Sequence, residues 1–206
     1  MKNLLSLIVV CAILFATSIN SFAGNTFNAN SSTSKVEWVA KKVVGEHNGI
    51  VNVKDGSITL DGNNLTAASF NVDMTSIQVL DLKSDNEGLG KLTGHLKSDD
   101  FFSVEKHNTA NFKMKSAKLK SNKMESGTKV LRYTVNGDLT IKGITKPTTF
   151  DVQVKDLGDK AEVYAFIKVD RTNYEIKYGS KNFFEGLGDK AIDNEFTLNV
   201  SLQLAK

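Results

Sequence analysis

The hydrophobic pattern of this chain alternates within short segments, and this pattern predicts β-strands rather than helices. Apolar residues at every second position give a strand one buried face and one solvated face. The alternation is clearest at residues 196, 198, 200, 202 and 204, which are Phe, Leu or Val with polar residues between them. Similar segments occur at 36–40, 68–74, 112–114, 131–135, 139–141, 150–154 and 163–169.

Turn sequences separate these segments and predict hairpin connections. Lys142–Gly143 interrupts the alternation, and Gly143 can take the positive φ angle that a tight turn requires. The residues at 61–64 predict a second turn, and Asp55–Gly56 predicts a two-residue hairpin between two apolar segments. About eight strands joined in this way predict an all-β fold, a single antiparallel eight-stranded barrel. A barrel of this size is either filled by side chains or holds one small ligand.

Two longer segments, at 81–105 and 170–193, break the strand pattern and are expected to form loops with short helical segments. Both contain glycines and, unusually for loops, several aromatic residues. In the first loop, Ser98 is predicted to cap a short helix, with Asp99 and Asp100 in its first turn. Phe101 and Phe102 would then reach back to the sheet.

The N-terminus predicts a signal peptide at residues 1–23, followed by one domain at 24–206. Lys2 gives a small positive region, Leu4 to Phe15 is apolar, and Ser21 and Ala23 suit a cleavage site. The apolar segment is shorter than the ~20 residues of a membrane-spanning helix. We therefore expect an exported protein, periplasmic or secreted, without a stable membrane span.

The charge balance limits the classes of binding partner, and the cysteine content limits how the domain is stabilised. The chain has 26 basic and 23 acidic residues, and removal of Lys2 leaves 25 basic residues in the predicted mature domain. Nucleic-acid binding is not expected, because a phosphate-binding surface needs a basic excess. The single cysteine, Cys11, lies in the predicted signal peptide. The mature domain would thus depend on its core rather than on disulfides, and self-association stays open.

No catalytic pattern is visible in the sequence. It contains no Gly-x-Ser-x-Gly motif, and His47, His95 and His107 are too far apart in sequence to form a metal-ligand motif. We therefore expect a binding protein rather than an enzyme, with no metal and no cofactor.

Aromatic and apolar residues are the candidates for binding. If the barrel is hollow, they line an apolar cavity; otherwise they close the barrel ends as core. The candidates are Trp38, Phe70, Met74, Phe101, Phe102, Phe112, Tyr133, Phe166, Tyr174 and Phe183. Basic residues near the loops could meet an anionic head group, although charged side chains more often form a solvated face; they are Lys42, His47, His95 and Arg171.

Three segments together resemble the YceI-like family. They are His95-Leu-Lys-Ser-Asp-Asp-Phe-Phe102, Gly137-Asp-Leu-Thr-Ile-Lys-Gly-Ile-Thr-Lys-Pro147, and Asp170-Arg-Thr172 with the final strand at 193–204. The chain differs from the family pattern at Thr93 and at Lys41–Lys42, where that pattern often has an acidic residue and a histidine. The resemblance implies a lipocalin-like barrel, export, and a polyisoprenoid ligand in the cavity.

From the resemblance and the residues together we expect an exported protein that sequesters or carries an isoprenoid lipid. A polyprenyl phosphate or a quinone-like molecule would fit, as would another long-chain apolar lipid. The alternative is an envelope interaction or stress-related module, with a barrel filled by side chains and no ligand.

Overall fold

The structure is a computed structural model that describes residues 24–83 and 87–206. These residues form nine β-strands and one α-helix. In chain order the elements are β1 (Asn25–Ala29), β2 (Lys35–Lys42), β3 (Glu46–Asp61), β4 (Asn64–Val79), α1 (Glu87–Lys97), β5 (Thr109–Glu125), β6 (Thr128–Ile141), β7 (Ile144–Asp156), β8 (Lys160–Asp170) and β9 (Ile192–Ala205). The predicted signal peptide lies outside the described residues. Within them, no helix has the length and apolar character needed to cross a bilayer.

The strands form one antiparallel sheet that closes on itself, as the sequence predicted. Its order is β1-β3-β2-β9-β8-β7-β6-β5-β4, and β3 also pairs with β4. Eight strands, β2 to β9, therefore close the barrel. β1 extends the sheet by pairing with β3 at 57–60 and with β9 at 204–205, in the space beyond the end of β2.

The two ends of the barrel differ in their connections. At one end, here called the short-turn end, the strands are joined by the turns at 62–63, 126–127 and 157–159. At the opposite end, the loop end, lie both long segments, 80–108 and 171–191. Because antiparallel strands alternate in direction, every second connection lies at the same end of the barrel, and the two long segments follow β4 and β8, so both lie over the same opening.

The barrel wall is incomplete between β4 and β5. These strands pair only between Ser69–Asp73 and Thr109–Lys113. Beyond Lys113, β6 is the only described strand that pairs with β5, with register shifts at 114–116 and 119–121. β6 instead meets the β3–β4 turn directly, since the Lys129 ammonium donates to Gly62 O at 3.3 Å. Among the described residues, the second half of β5 therefore has one edge without a pairing strand.

The predicted hairpin at Asp55–Gly56 is wrong, because β3 runs unbroken from Glu46 to Asp61 with an irregularity between Val53 and Asp55. Gly56 serves a close approach instead of a turn: a Cβ there would lie 2.2 Å from the Phe70 ring on β4. The turn at 142–143 is confirmed, with Gly143 at a φ of +73°.

The predicted helix after Ser98 is also wrong, since α1 ends just before that residue. Ser98 closes the helix rather than starting it: its hydroxyl donates to the carbonyl of His95 at 2.7 Å. The expectation that Phe101 and Phe102 reach the sheet is confirmed, because both pack against the barrel core.

The short-turn end is closed by a packed core. Phe27, Leu131 and Leu204 are fully buried there, together with Tyr133. The Tyr133 hydroxyl donates to the carbonyl of Asn63 in the β3–β4 turn at 2.9 Å. Burial, with a smaller contribution from Asp156, raises the pKa of Tyr133 to about 12. This end of the barrel therefore has a packed floor in which the buried Tyr133 hydroxyl is hydrogen-bonded.

Candidate functional site

Above this floor the barrel contains a cavity of about 170 Å³. Inward residues of β2 to β9 line it, and Leu96, Phe101 and Phe102 cover it at the loop end. Asn111, Arg171 and Asp193 are the polar residues among the described lining; all others are apolar. For scale, an engineered apolar cavity of ~150 Å³ stays dry and takes up benzene. The space therefore suits an apolar ligand, and it is narrow.

Six of the ten predicted ligand-binding residues lie in the cavity wall: Trp38, Phe70, Met74, Phe101, Phe102 and Phe112. The first three and Phe112 reach it from strands, and Phe101 and Phe102 from the first long loop. Phe101 and Phe102 meet edge to face, with ring centroids 5.2 Å apart. Strand alternation together with the aromatic content of this loop was thus sufficient to find this part of the wall.

The other four predicted residues lie elsewhere. Tyr133 belongs to the packed floor. Phe166 is 54% exposed, because it pairs with Asn199 on the outer face of the sheet. Phe183 is 47% exposed and stacks with the Lys177 ammonium, which lies 5.1 Å from its ring centroid. Tyr174 is a buried residue of the second long loop, and burial raises its pKa to about 12. Their assignment to the cavity wall is therefore corrected.

Two aromatic residues of the wall were missed by the sequence analysis as site residues. Phe150 lies 5.1 Å from Phe112, measured between ring centroids, and Phe196 lies 6.4 Å from Phe102. Both line the cavity. Each occupies an inward position of a predicted strand, so the alternation held the signal that would have identified them.

The Trp38 side chain in the cavity wall has an indole N–H that is not hydrogen-bonded to any described residue. The side chain is only 7% exposed and lines the cavity, and its Nε1 has no hydrogen-bond partner among the described residues. The indole lies against Gly49, where a Cβ would come within 2.5 Å of its ring. Buried donors are normally paired, and leaving one unpaired costs about 1–3 kcal/mol.

Arg171 borders the cavity but its guanidinium is occupied by backbone carbonyls. Nε donates to Asp193 O at 2.9 Å, Nη1 to Ile176 O and Tyr178 O at 2.8 Å each, and Nη2 to Ile192 O at 3.1 Å. Four of its five N–H groups are thereby used. Burial lowers the pKa of Arg171, and the nearby carboxylates of Asp170 and Asp193 oppose this shift. The residue fastens the second long loop to the start of β9.

Lys42 and His47 form a polar group at the rim of the loop end. Lys42 Nζ lies 3.4 Å from His47 Nε2, and His47 Nδ1 lies 2.7 Å from the Asp81 carboxylate. Partial burial would raise the pKa of Asp81, but hydrogen bonds from the Asn48 N–H and from His47 outweigh it and lower the pKa. Neither Lys42 nor His47 lines the cavity.

His95 lies behind the cavity cover rather than in the wall. Its ring is 4.3 Å from Tyr178 and 5.4 Å from Phe101, centroid to centroid, in edge-on contacts. It therefore joins the helix end to both long loops. Across residues 24–83 and 87–206, no three His, Cys, Asp or Glu side chains are grouped as metal ligands.

Comparison with known proteins agrees with this architecture. A curated UPF0312 protein of Vibrio vulnificus is 30% identical over 74% of this chain and 72% of its own length. A UPF0312 protein of Photorhabdus laumondii is 27% identical over 71% and 68%. BcnA of Burkholderia cenocepacia has a solved structure with a TM-score of 0.62 and 18% identity, covering 86% of this chain and 99% of BcnA.

A second solved structure is described as a polyisoprenoid binding domain from Saccharophagus degradans. It superposes with a TM-score of 0.64 at 14% identity and covers 87% of this chain and 97% of that domain. At this identity the likeness concerns the fold. The family model of the YceI-like domain matches residues 27–204, almost the whole of the described structure. The chain therefore belongs to the YceI-like family.

Proposed function

We propose that this protein is an exported binding protein that holds the chain of an isoprenoid lipid in its barrel cavity. The observation that carries the proposal is an apolar cavity above a packed floor, covered at the loop end by Leu96, Phe101 and Phe102. The description of a structural neighbour as a polyisoprenoid binding domain supports the same ligand class.

An apolar chain is the ligand that this wall stabilises best. Each buried CH₂ contributes about 0.8 kcal/mol gross, less the cost of ordering the chain. The space is narrow, so a long tail requires side chains of the wall to change rotamer. Met74 is suited to this because its unbranched thioether is flexible and adapts to different shapes.

The polar atoms of the cavity favour an uncharged oxygen on the ligand. A phosphate beside Trp38 would be buried with a single donor, which is costly for an anion. Arg171 has little left to offer, since four of its N–H groups already bind carbonyls. Of the two head groups expected from the sequence, a quinone-like carbonyl or a hydroxyl therefore fits better than a phosphate.

Export rests on the N-terminal sequence, with Lys2, the apolar segment Leu4–Phe15 and the small residues Ser21 and Ala23. We expect the mature chain to begin at or near Gly24 in the periplasm or the medium. Intact mass of the protein recovered from a cell fractionation tests this. A mature protein that retains residues 1–23 would contradict it.

The ligand is tested by native mass spectrometry of the purified protein, followed by lipid extraction and by titration of the delipidated protein. Trp38 is the only tryptophan, so its emission reports on the cavity directly. We expect a long polyprenol and a quinone with the same tail to change this emission, and solanesyl phosphate to bind more weakly. A straight-chain alcohol of equal carbon number is the control for isoprenoid shape.

The alternative is an envelope module with a filled barrel and no ligand. The open space between Phe70, Phe112 and Phe150 speaks against it. No co-purifying lipid from several expression hosts, together with unchanged Trp38 emission for every probe, would favour that alternative and end the carrier proposal.

A further inference from the structure

The positive charge of this protein is concentrated on one hairpin. The β5–β6 hairpin, residues 109–141, contains seven basic and two acidic residues, a net charge of +5. The whole chain has a net charge of +3, so everything outside the hairpin carries −2. The near-neutral total therefore hides a local basic excess.

The structure places the lysines of β5 on one face. Lys113, Lys118 and Lys123 lie opposite Asp138, Thr134 and Val130 of β6, respectively. Their partners on β6 are four residues apart, and the register shifts at 114–116 and 119–121 each insert one residue into β5, so the lysines are five residues apart. These three lysines are exposed and make no hydrogen-bonded ion pair among the described residues, whereas Lys115 and Lys120 pair with Asp138 and Asp151.

The opposite face of the same strand is apolar and partly uncovered. Leu119 is 38% exposed and Met124 is 67% exposed. They are uncovered because β4 stops pairing with β5 at Lys113. The second half of β5 is thus an amphipathic edge strand, with lysines on one side and apolar side chains on the other.

We propose that the free half of β5, Met114–Glu125 with the flanking Lys113, docks on the surface of a bilayer that contains anionic phospholipids. The lysines would meet the phosphate groups, and Leu119 and Met124 would enter the interface. Lysines near an anionic surface attract it additively, and amphipathic segments bind by burying their apolar face. The strand lies beside Phe70 and Phe112 of the cavity wall, so docking brings the ligand site close to a lipid store.

Two other partners are less consistent with this strand. Addition of a partner's β-strand is disfavoured, because lysines and register irregularities are features that block edge pairing. A soluble polyanion would account for the lysines but gives no reason for the exposed Leu119 and Met124.

The test is co-sedimentation with vesicles of phosphatidylcholine alone and of phosphatidylcholine mixed with an equal part of phosphatidylglycerol. The test variant changes Lys113, Lys118 and Lys123 to Glu. The control variant changes Lys54, Lys168 and Lys181 to Glu, which are exposed and also outside ion pairs. Both variants alter the net charge equally, and all proteins share the same N-terminus. A difference in vesicle binding between the two variants therefore shows that the lysine face of β5 is the binding surface.

We expect the wild type to bind the anionic vesicles at low salt, with binding reduced at high salt. The β5 variant should bind at least about 30-fold more weakly, and the control variant within about threefold of the wild type. Leu119→Ser with Met124→Ser should weaken the binding that remains at high salt.

Equal losses in the β5 and control variants would overturn the proposal, since net charge alone would then explain them. So would a wild type that ignores anionic vesicles, or one that binds heparin but no vesicle. Unchanged binding of the double variant, Leu119→Ser with Met124→Ser, would show that these side chains do not enter the interface. It would thereby contradict the bilayer as the partner. None of these results depends on the cavity ligand. A negative vesicle experiment would therefore contradict membrane docking without contradicting the proposed lipid binding in the cavity.

Discussion

The two ends of the barrel use the same strands and similar side chains but differ in what completes them. At the short-turn end, Phe27, Leu131 and Tyr133 meet other side chains of the protein across the barrel. In the middle, Phe70 and Phe112 face open space. Residue type alone therefore does not distinguish a packing position from a binding position. The distinction depends on whether the opposite side of the barrel supplies a partner.

The buried polar atoms follow the same division. The Tyr133 hydroxyl in the floor donates to Asn63 O, whereas the buried N–H of Trp38, a residue of the cavity wall, has no partner among the described residues. His95 Nε2, behind the cavity cover, is the other buried side-chain atom without a partner among the described residues. A buried donor that is left unpaired needs an explanation, and a ligand would provide one for Trp38.

The largest effect is expected at Arg171, which holds the cover of the cavity. Arg171→Met should lower the free energy of unfolding by about 5 kcal/mol, because it leaves four backbone carbonyls unpaired. Chemical denaturation measures this. Arg132→Met is the matched control, because Arg132 is partly exposed in an ion pair with Glu125 and its loss should change the free energy of unfolding far less than Arg171→Met does.

A stable Arg171→Met variant that loses affinity only for phosphorylated lipids would contradict this structural role. It would return Arg171 to the head-group contact that the sequence first indicated, and the loop end would then be a polar binding site rather than a cover.

The next largest effect is a difference in stability loss between a residue of the packed floor and a residue of the cavity wall. Leu131→Ala removes a fully buried side chain from the floor and should cost about 3 kcal/mol. Phe70→Ala removes a larger side chain that faces open space, and it should cost only about 1 kcal/mol in the empty protein while weakening lipid binding. Paired denaturation and lipid titration measure both. A larger stability loss for Phe70→Ala than for Leu131→Ala would indicate that the barrel is filled.

Much of this division could be predicted from the sequence, because strand alternation is local. The pattern around Trp38, Phe70 and Phe112 identified inward positions, and the same pattern places Phe166 outward. The prediction that Phe166 lines the cavity was wrong because it relied on the aromatic side chain and not on the outward position of Phe166 in the strand. Gly143 was predicted correctly because a tight turn depends only on neighbouring residues.

The features that sequence reasoning missed depend on contacts between distant segments. Gly56 is required by the Phe70 ring of another strand, so its Asp-Gly sequence was misleading. The role of Arg171 depends on four carbonyls that meet only after the second long loop has folded. The lysine face of β5 depends on two register shifts that an alternating pattern does not reveal.

A pH-dependent effect of intermediate size is expected from the floor. The pKa of Tyr133 is about 12 in the folded protein and about 10 when unfolded. The unfolded chain therefore releases this proton first, so stability is complete below pH ~10 and falls as the pH rises to ~12, by about 2–3 kcal/mol. Tyr133→Phe should flatten this part of the curve in urea denaturation at several pH values. Tyr174 has a similar pKa, so adding Tyr174→Phe should reduce the remaining slope further. An unchanged slope in the double variant would show that other groups control alkaline unfolding.

The smallest effect is the most specific to the cavity. Trp38→Phe removes the unpaired N–H and keeps an aromatic ring in the wall. If a ligand oxygen accepts this N–H, the wild type should prefer a polyprenol or a quinone over squalene, a hydrocarbon of the same isoprenoid type. The variant should lose about tenfold of that preference, the value of one hydrogen bond to a buried donor. Calorimetry of both proteins with both ligands gives this difference and cancels any change in cavity shape that affects every ligand. In the wild type, the single indole N–H resonance should move on binding the oxygen-bearing lipid and stay nearly fixed with squalene. Equal preference in the two proteins, with the resonance unmoved, would leave Trp38 as part of the apolar wall alone.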